Sequence, residues 1–219
     1  MAVSPFLNLY THIQQIDFKQ LLNGRNYAVL QGQLIFEKDG EVFMTTIDSD
    51  RNDFTVEDYM ALPENAPFEL INGKLIYMPS PKLSHQNISI NLSSLLHLHV
   101  RKNKLGQVLT APMDVHFSKD NIYQPDILFV SNNRTSILKD YIMGAPDFVV
   151  EIMSPGTRKK DEEDKLKTYG QYNVSEYWLI DPYEETVEVF LNEDKELIST
   201  GKFGKNESIS SNVIGWFFS

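Results

Sequence analysis

Residues 146–169 read PDFVVEIMSPGTRKKDEEDKLKTY, and this stretch decides the fold. Phe148, Val149, Val150, Ile152 and Met153 form a continuous apolar run. Such a run is the pattern of a strand covered on both faces. Glu151 interrupts it. An ionised carboxylate among hydrocarbon side chains is expensive to desolvate unless it is paired or binds a metal. Downstream, TRKKDEEDKLKTYGQY predicts a helix of roughly four turns.

Working outward, the loop at Gly144-Ala145-Pro146 leads into the strand. EYWLID and TVEVFL predict a hairpin around Pro182-Tyr183-Glu184-Glu185, followed by a charged loop and one last short strand. Upstream, GQVLTAPMDVHFS and NIYQPDILFV predict strands, with Val115 and Phe117 alternating against Asp114 and His116. SHQNISINLSSLLHLHVRKN predicts a helix opened by Ser84. Its Ile88, Leu92, Leu95, Leu96 and His99 share one face, and Gly106 follows it. FELINGKLIYMPSP predicts a hairpin turning at Asn72-Gly73, the strongest short hairpin signal a sequence carries. DFTVEDYMAL predicts a short helix with Thr55 as N-cap and Asp58 three residues on.

Residues 1–48 lack a strong period. There, YAVLQGQLIFEKDG and EVFMTTID predict two or three short strands with turns at Gly32 and Asp39-Gly40. The organisation expected is an N-terminal extension over 1–48 and a single α/β or α+β domain over 49–219.

Composition narrows the class. A chain of 219 residues, 42% hydrophobic and 23% charged, is a soluble globular protein with a hydrophobic core. The absence of cysteine excludes a disulfide scaffold, a thiolate metal site and a cysteine nucleophile, and fits a reducing cytoplasm. The N-terminal MAVSPFLNLYTHIQQIDF does not read as a secretory signal. No run approaches the roughly 18 apolar residues of a membrane span. A net charge of −10 and a pI near 4.9 argue against a protein that coats nucleic acid with a basic surface. They argue less against a nuclease, where a bound divalent ion offsets clustered carboxylates.

Three acids stand in apolar strand patterns: Glu69 in FELI, Asp126 in PDILFV and Glu151 in VVEIM. Singly, each has a plain alternative, at a strand end, on a solvated face or in a salt bridge. Together they point to a shared site. Two converging carboxylates suit Mg²⁺ or Mn²⁺, which take oxygen ligands. Such an ion polarises a phosphate and acidifies a bound water. A lysine adds positive charge where the reacting phosphate gathers negative charge. Asp161, Lys165 and Tyr169 recur at helical spacing on one face. Leu166 and Tyr169 mark the sheet side, which sets Lys165 near the sheet and leaves Lys159, Lys160 and Lys167 in solvent. The alternative is an exposed Asp161–Lys165 pair. His97 and His99 point to different sides and make a poor metal pair.

These residues carry a resemblance. FELINGKL with Glu69, then His85, PDILFV, VVEIMSPGT, D-x3-K-x3-Y and EYWLIDP resemble the Uma-type family of restriction-endonuclease-like proteins, long catalogued as a domain of unknown function. Its superfamily carries the PD-(D/E)xK motif. The resemblance spans roughly residues 53–195 and leaves 1–48 uncovered. It implies a mixed central β-sheet flanked by helices and a divalent-metal-dependent phosphodiesterase site. It makes Asp126 the aspartate of the motif, Glu151 its second acid and Glu69 the upstream acid that assists. Asp126, Glu151 and the Ile152 carbonyl would bind Mg²⁺ or Mn²⁺. The motif lysine falls at Met153, which moves that role to Lys165. His85, Ser154, Asp161 and Tyr169 match the pattern as supporting residues. His85 meets a phosphate or a carboxylate, or simply satisfies the helix start. Trp178 reads as core and Asp181 as a turn acid. The function expected is a DNA endonuclease acting as a homodimer. The alternatives are a non-catalytic module that keeps the fold for binding or assembly, and an enzyme acting on RNA.

Overall fold

The structure is a computed structural model that describes residues 27–30, 33–38, 41–46, 52–63, 66–78, 80–154 and 161–218. It divides into two compact units, Met1–Pro79 with Lys119–Ile122, and Ser80–Ser118 with Tyr123–Ser219.

In the first unit, β1 (Tyr27–Leu30), β2 (Gln33–Lys38) and β3 (Glu41–Thr46) form an antiparallel meander, so the N-terminal stretch holds three strands. The turns expected at Gly32 and Asp39-Gly40 lie outside the described residues. Helix α1 (Val56–Met60) opens with a capping box. The Asp58 amide donates to the Thr55 hydroxyl at 3.4 Å, and the Thr55 amide donates to the Asp58 carboxylate at 2.9 Å. Strands β4 (Phe68–Ile71) and β5 (Lys74–Tyr77) pair across Asn72 and Gly73, whose φ angles are +48° and +72°. Two positive φ angles give the turn whose twist suits a hairpin. A Cβ at Gly73 would also collide with the Asn52 carbonyl. Leu70 pairs with Ile122 of β8 (Asn121–Tyr123), and Phe54, Tyr59, Phe68, Leu75 and Ile122 share one core.

The second unit is built on a six-stranded mixed sheet. Its members are β6 (Gly106–Thr110), β9 (Ile127–Ser131), β11 (Phe148–Ile152), β12 (Glu176–Asp181), β13 (Thr186–Glu193) and β14 (Glu196–Phe203). They lie in the order β14-β13-β12-β11-β9-β6, with β11 and β12 parallel and the other pairs antiparallel. Strands β7 (Val115–Ser118) and β10 (Ile142–Met143) pair in parallel, and β15 (Ile209–Ser211) and β16 (Trp216–Phe218) form a last hairpin. Among the described residues no helix is long and apolar enough to cross a membrane.

Alternation along β11 explains its composition. Phe148, Val150 and Ile152 pack with Trp178 and Ile180 against Leu92, Leu96 and Val100 of α2 (Leu83–Asn103). The opposite face, carrying Glu151, meets α3 (Leu166–Gln171), which is preceded by a π turn at Asp161–Lys165. With helices over both faces, β11 and β12 are buried at every position. Trp178 is core, packed edge-on to Phe148 at 5.2 Å, and Asp181 caps its turn by accepting from the Tyr183 and Glu184 amides at 2.8 and 3.1 Å.

Three expectations are corrected. Helix α2 begins at Leu83, and Ser84 is its second residue instead of its cap. Its buried row is Leu92, Leu96 and Val100, whereas Leu95 is 45% exposed, because one residue along a helix rotates a side chain by about 100°. The charged segment after β13 contains β14, which pairs along most of β13. Asp194 and Lys195, at φ +51° and +71°, form the tip of that hairpin, so the charge cluster marks a turn.

Glu176 escaped notice in the sequence. It is wholly buried and accepts from the Trp178 indole at 2.7 Å, the Ser211 hydroxyl at 3.0 Å and the Val213 amide at 3.1 Å. It thereby ties β12 to the C-terminal hairpin. Burial raises its carboxyl above the ordinary value of 4.5, opposed by those donors. The folded state therefore holds the proton to higher pH than the unfolded chain does. The contribution is complete below the ordinary carboxyl range and is lost as pH rises through the raised folded value. Denaturant titrations should show wild-type stability falling relative to Glu176→Gln as pH rises above 4.5. A gap independent of pH contradicts this assignment.

Candidate active site

Glu151 is 3% exposed, and its Oε1 accepts from Lys165 Nζ at 2.9 Å and from the Tyr169 hydroxyl at 2.6 Å. Lys165 is itself 1% exposed. Lys165 and Tyr169 stand one helical turn apart, which is why both reach the same oxygen. The exposed Asp161–Lys165 alternative is thus overturned on the lysine's side, since Lys165 faces the sheet while Lys167 is exposed. The Asp161 side chain, like Lys159 and Lys160, lies outside the described residues. Ser154 follows β11 half-buried, and Met153, where the motif lysine was expected, is buried.

Asp126 stands one residue before β9, at the strand's edge and not inside it. Its Oδ2 accepts from the Ile152 amide at 2.7 Å and meets His85 Nε2 at 3.1 Å. The first contact fixes Asp126 on the backbone of the residue that follows Glu151. The second sets the His85 ring against a carboxylate. This ring stands at the start of α2. In the second unit Asp126 thus meets His85 and the Ile152 amide, and Glu151, the residue before Ile152, meets Lys165 and Tyr169. Glu69 lies in β4 of the first unit, wholly buried.

Tyr123 belongs to this constellation and was missed. Its ring lies 5.9 Å from Lys165 Nζ, and its hydroxyl donates to Thr168 Oγ1 on α3 at 3.0 Å. No local pattern in NIYQPD signals this, because the partner is more than forty residues away in sequence. Among the described residues, no group of three or more His, Cys, Asp or Glu is placed to hold a metal ion. The donors expected from the resemblance, two carboxylates and a backbone carbonyl, are all oxygen. That set fits Mg²⁺ or Mn²⁺, which keep several waters and need few protein ligands.

Residues 56–218 match the family model described as "Putative restriction endonuclease" (Uma2), so the chain belongs to this family. A curated relative is the uncharacterised protein sll1609 of Synechocystis sp. (strain ATCC 27184 / PCC 6803 / Kazusa), 23% identical over 71% of this chain and 90% of that protein. The fold is similar to a crystal structure described as a "putative nuclease belonging to DUF820" from Anabaena variabilis ATCC 29413. That match has a TM-score of 0.63 at 23% identity and covers 74% of this chain and 91% of the other. The mixed sheet with flanking helices is thus the architecture expected.

A buried ion pair is costly to break, because removing one partner strands the other charge out of water. Lys165→Met should destabilise the protein by about 3–5 kcal/mol in denaturant unfolding. A loss below about 1 kcal/mol is the signature of an exposed pair and contradicts this geometry.

Proposed function

We propose that this protein is a divalent-metal-dependent nuclease that hydrolyses phosphodiester bonds in DNA. The observation that carries the reading is a lysine, almost wholly buried, held on Glu151 while Asp126 is anchored to the next backbone amide. Family membership supports the same reaction class.

Asp126, Glu151 and the Ile152 carbonyl would hold Mg²⁺ or Mn²⁺. Among the described residues, the hydrogen bonds of Asp126's carboxylate all fall on Oδ2, and its side chain is 17% exposed. Both features suit a ligand that takes up its other oxygen. When bound, the ion supplies an acidified water and offsets phosphate charge. Lys165 contributes a fixed ammonium that stabilises negative charge on the phosphate as the transition state forms. Its pairing with Glu151 keeps it charged and oriented in a site of low dielectric. His85 meets the same Asp126 oxygen that the Ile152 amide binds. The supporting role of Glu69 rests on the resemblance alone. Cutting both strands of a duplex calls for two such sites, which a two-fold homodimer provides.

Purified protein with Mg²⁺ or Mn²⁺ should nick supercoiled plasmid, and Asp126→Ala should reduce nicking by at least about 100-fold. Equal nicking by both proteins would sink the reading. Cleavage confined to an RNA substrate would move it to the other nucleic acid. Ion binding that requires Asp126 and Glu151, but no cleavage of either substrate, would favour the non-catalytic module.

A further inference from the structure

We propose that Tyr169 and Tyr123 are the positioning residues that allow a lysine supplied from a helix to serve this site. The inference rests on the nuclease reading above and deepens it. A lysine two residues along the strand from Glu151 would share that strand's rigid backbone and face. Lys165 instead arrives from another element, on a flexible stem rich in rotamer entropy. Some other contact must fix both the helix and the ammonium. Two tyrosines supply such contacts. The Tyr169 hydroxyl donates at 2.6 Å to the Glu151 oxygen that Lys165 also binds. The Tyr169 ring is wholly buried, with Phe117, Tyr123 and Tyr177 at centroid distances of 5.6, 5.6 and 5.4 Å. The Tyr123 hydroxyl ties Thr168 of the same helix at 3.0 Å, and its ring face lies 5.9 Å from the Lys165 ammonium, within cation–π range. Lys165, Thr168 and Tyr169 occupy one face at i, i+3 and i+4, so three neighbouring helical positions are held at once. Neither hydroxyl needs to touch the substrate. Both act through Lys165 and Glu151.

Phenylalanine keeps each ring and removes only the hydroxyl, so Tyr169→Phe and Tyr123→Phe separate positioning from packing. In the full chain with Mg²⁺ and plasmid DNA, each should lower kcat by about 10- to 100-fold while KM stays unchanged. A second readout needs no activity. The ε-methylene resonance of ¹³C-labelled Lys165, assigned by its absence in Lys165→Met, should move in Tyr169→Phe while far-UV dichroism stays native. Wild-type kcat in both variants with an unmoved Lys165 resonance overturns the proposal. If the wild-type protein itself cleaves nothing, the nuclease reading fails and the resonance alone decides positioning. If one variant unfolds, the other decides by the same two readouts.

Discussion

The 2.9 Å ion pair between Lys165 and Glu151 is the constraint around which the second unit is built. Neither charge can be buried alone. The strand that carries Glu151 and the helix that carries Lys165 therefore have to form together. Tyr169 reinforces the joint from the same helix, and the aromatic group of Phe117, Tyr123 and Tyr177 packs around it. On the other side of the sheet, α2 seals an apolar face through Leu92, Leu96 and Val100. The Lys165–Glu151 pair thus lies on the face opposite α2, enclosed by aromatic rings.

A buried ion pair adds little net stability compared with a well-packed apolar pair of the same size. Folding alone gives no reason for Lys165 to sit beneath the sheet where a leucine would pack. The proposed phosphate chemistry would give one, with the ammonium held ready and Asp126 bound to the neighbouring backbone amide.

Much of this was legible because it depends on local rules. Asn72-Gly73 dictates its turn, Thr55 with Asp58 dictates a cap, and Glu151 stands out because a doubly covered strand has no cheap place for an acid. Lys165 and Tyr169 follow from helical spacing once the sheet side of the helix is known. What stayed hidden depends on long-range contact. Glu176 looks like an ordinary strand-end acid until Ser211 and Val213 return to it. Tyr123 looks like core until its ring is found beside Lys165. Strand β14 was concealed by its own turn, whose charges read as a loop.

In the proposed site, with Met153 where the motif lysine was expected, the second acid stands on its strand and the lysine comes from the following helix. By strand alternation Met153 lies on the same face as Glu151. Moving the charge back tests the central claim most directly. Lys165→Met should abolish metal-dependent nicking, and adding Met153→Lys to that variant should restore part of it, because the reaction needs the ammonium in space and not at one sequence position. A Lys165→Met protein that nicks DNA as fast as the wild type contradicts the account.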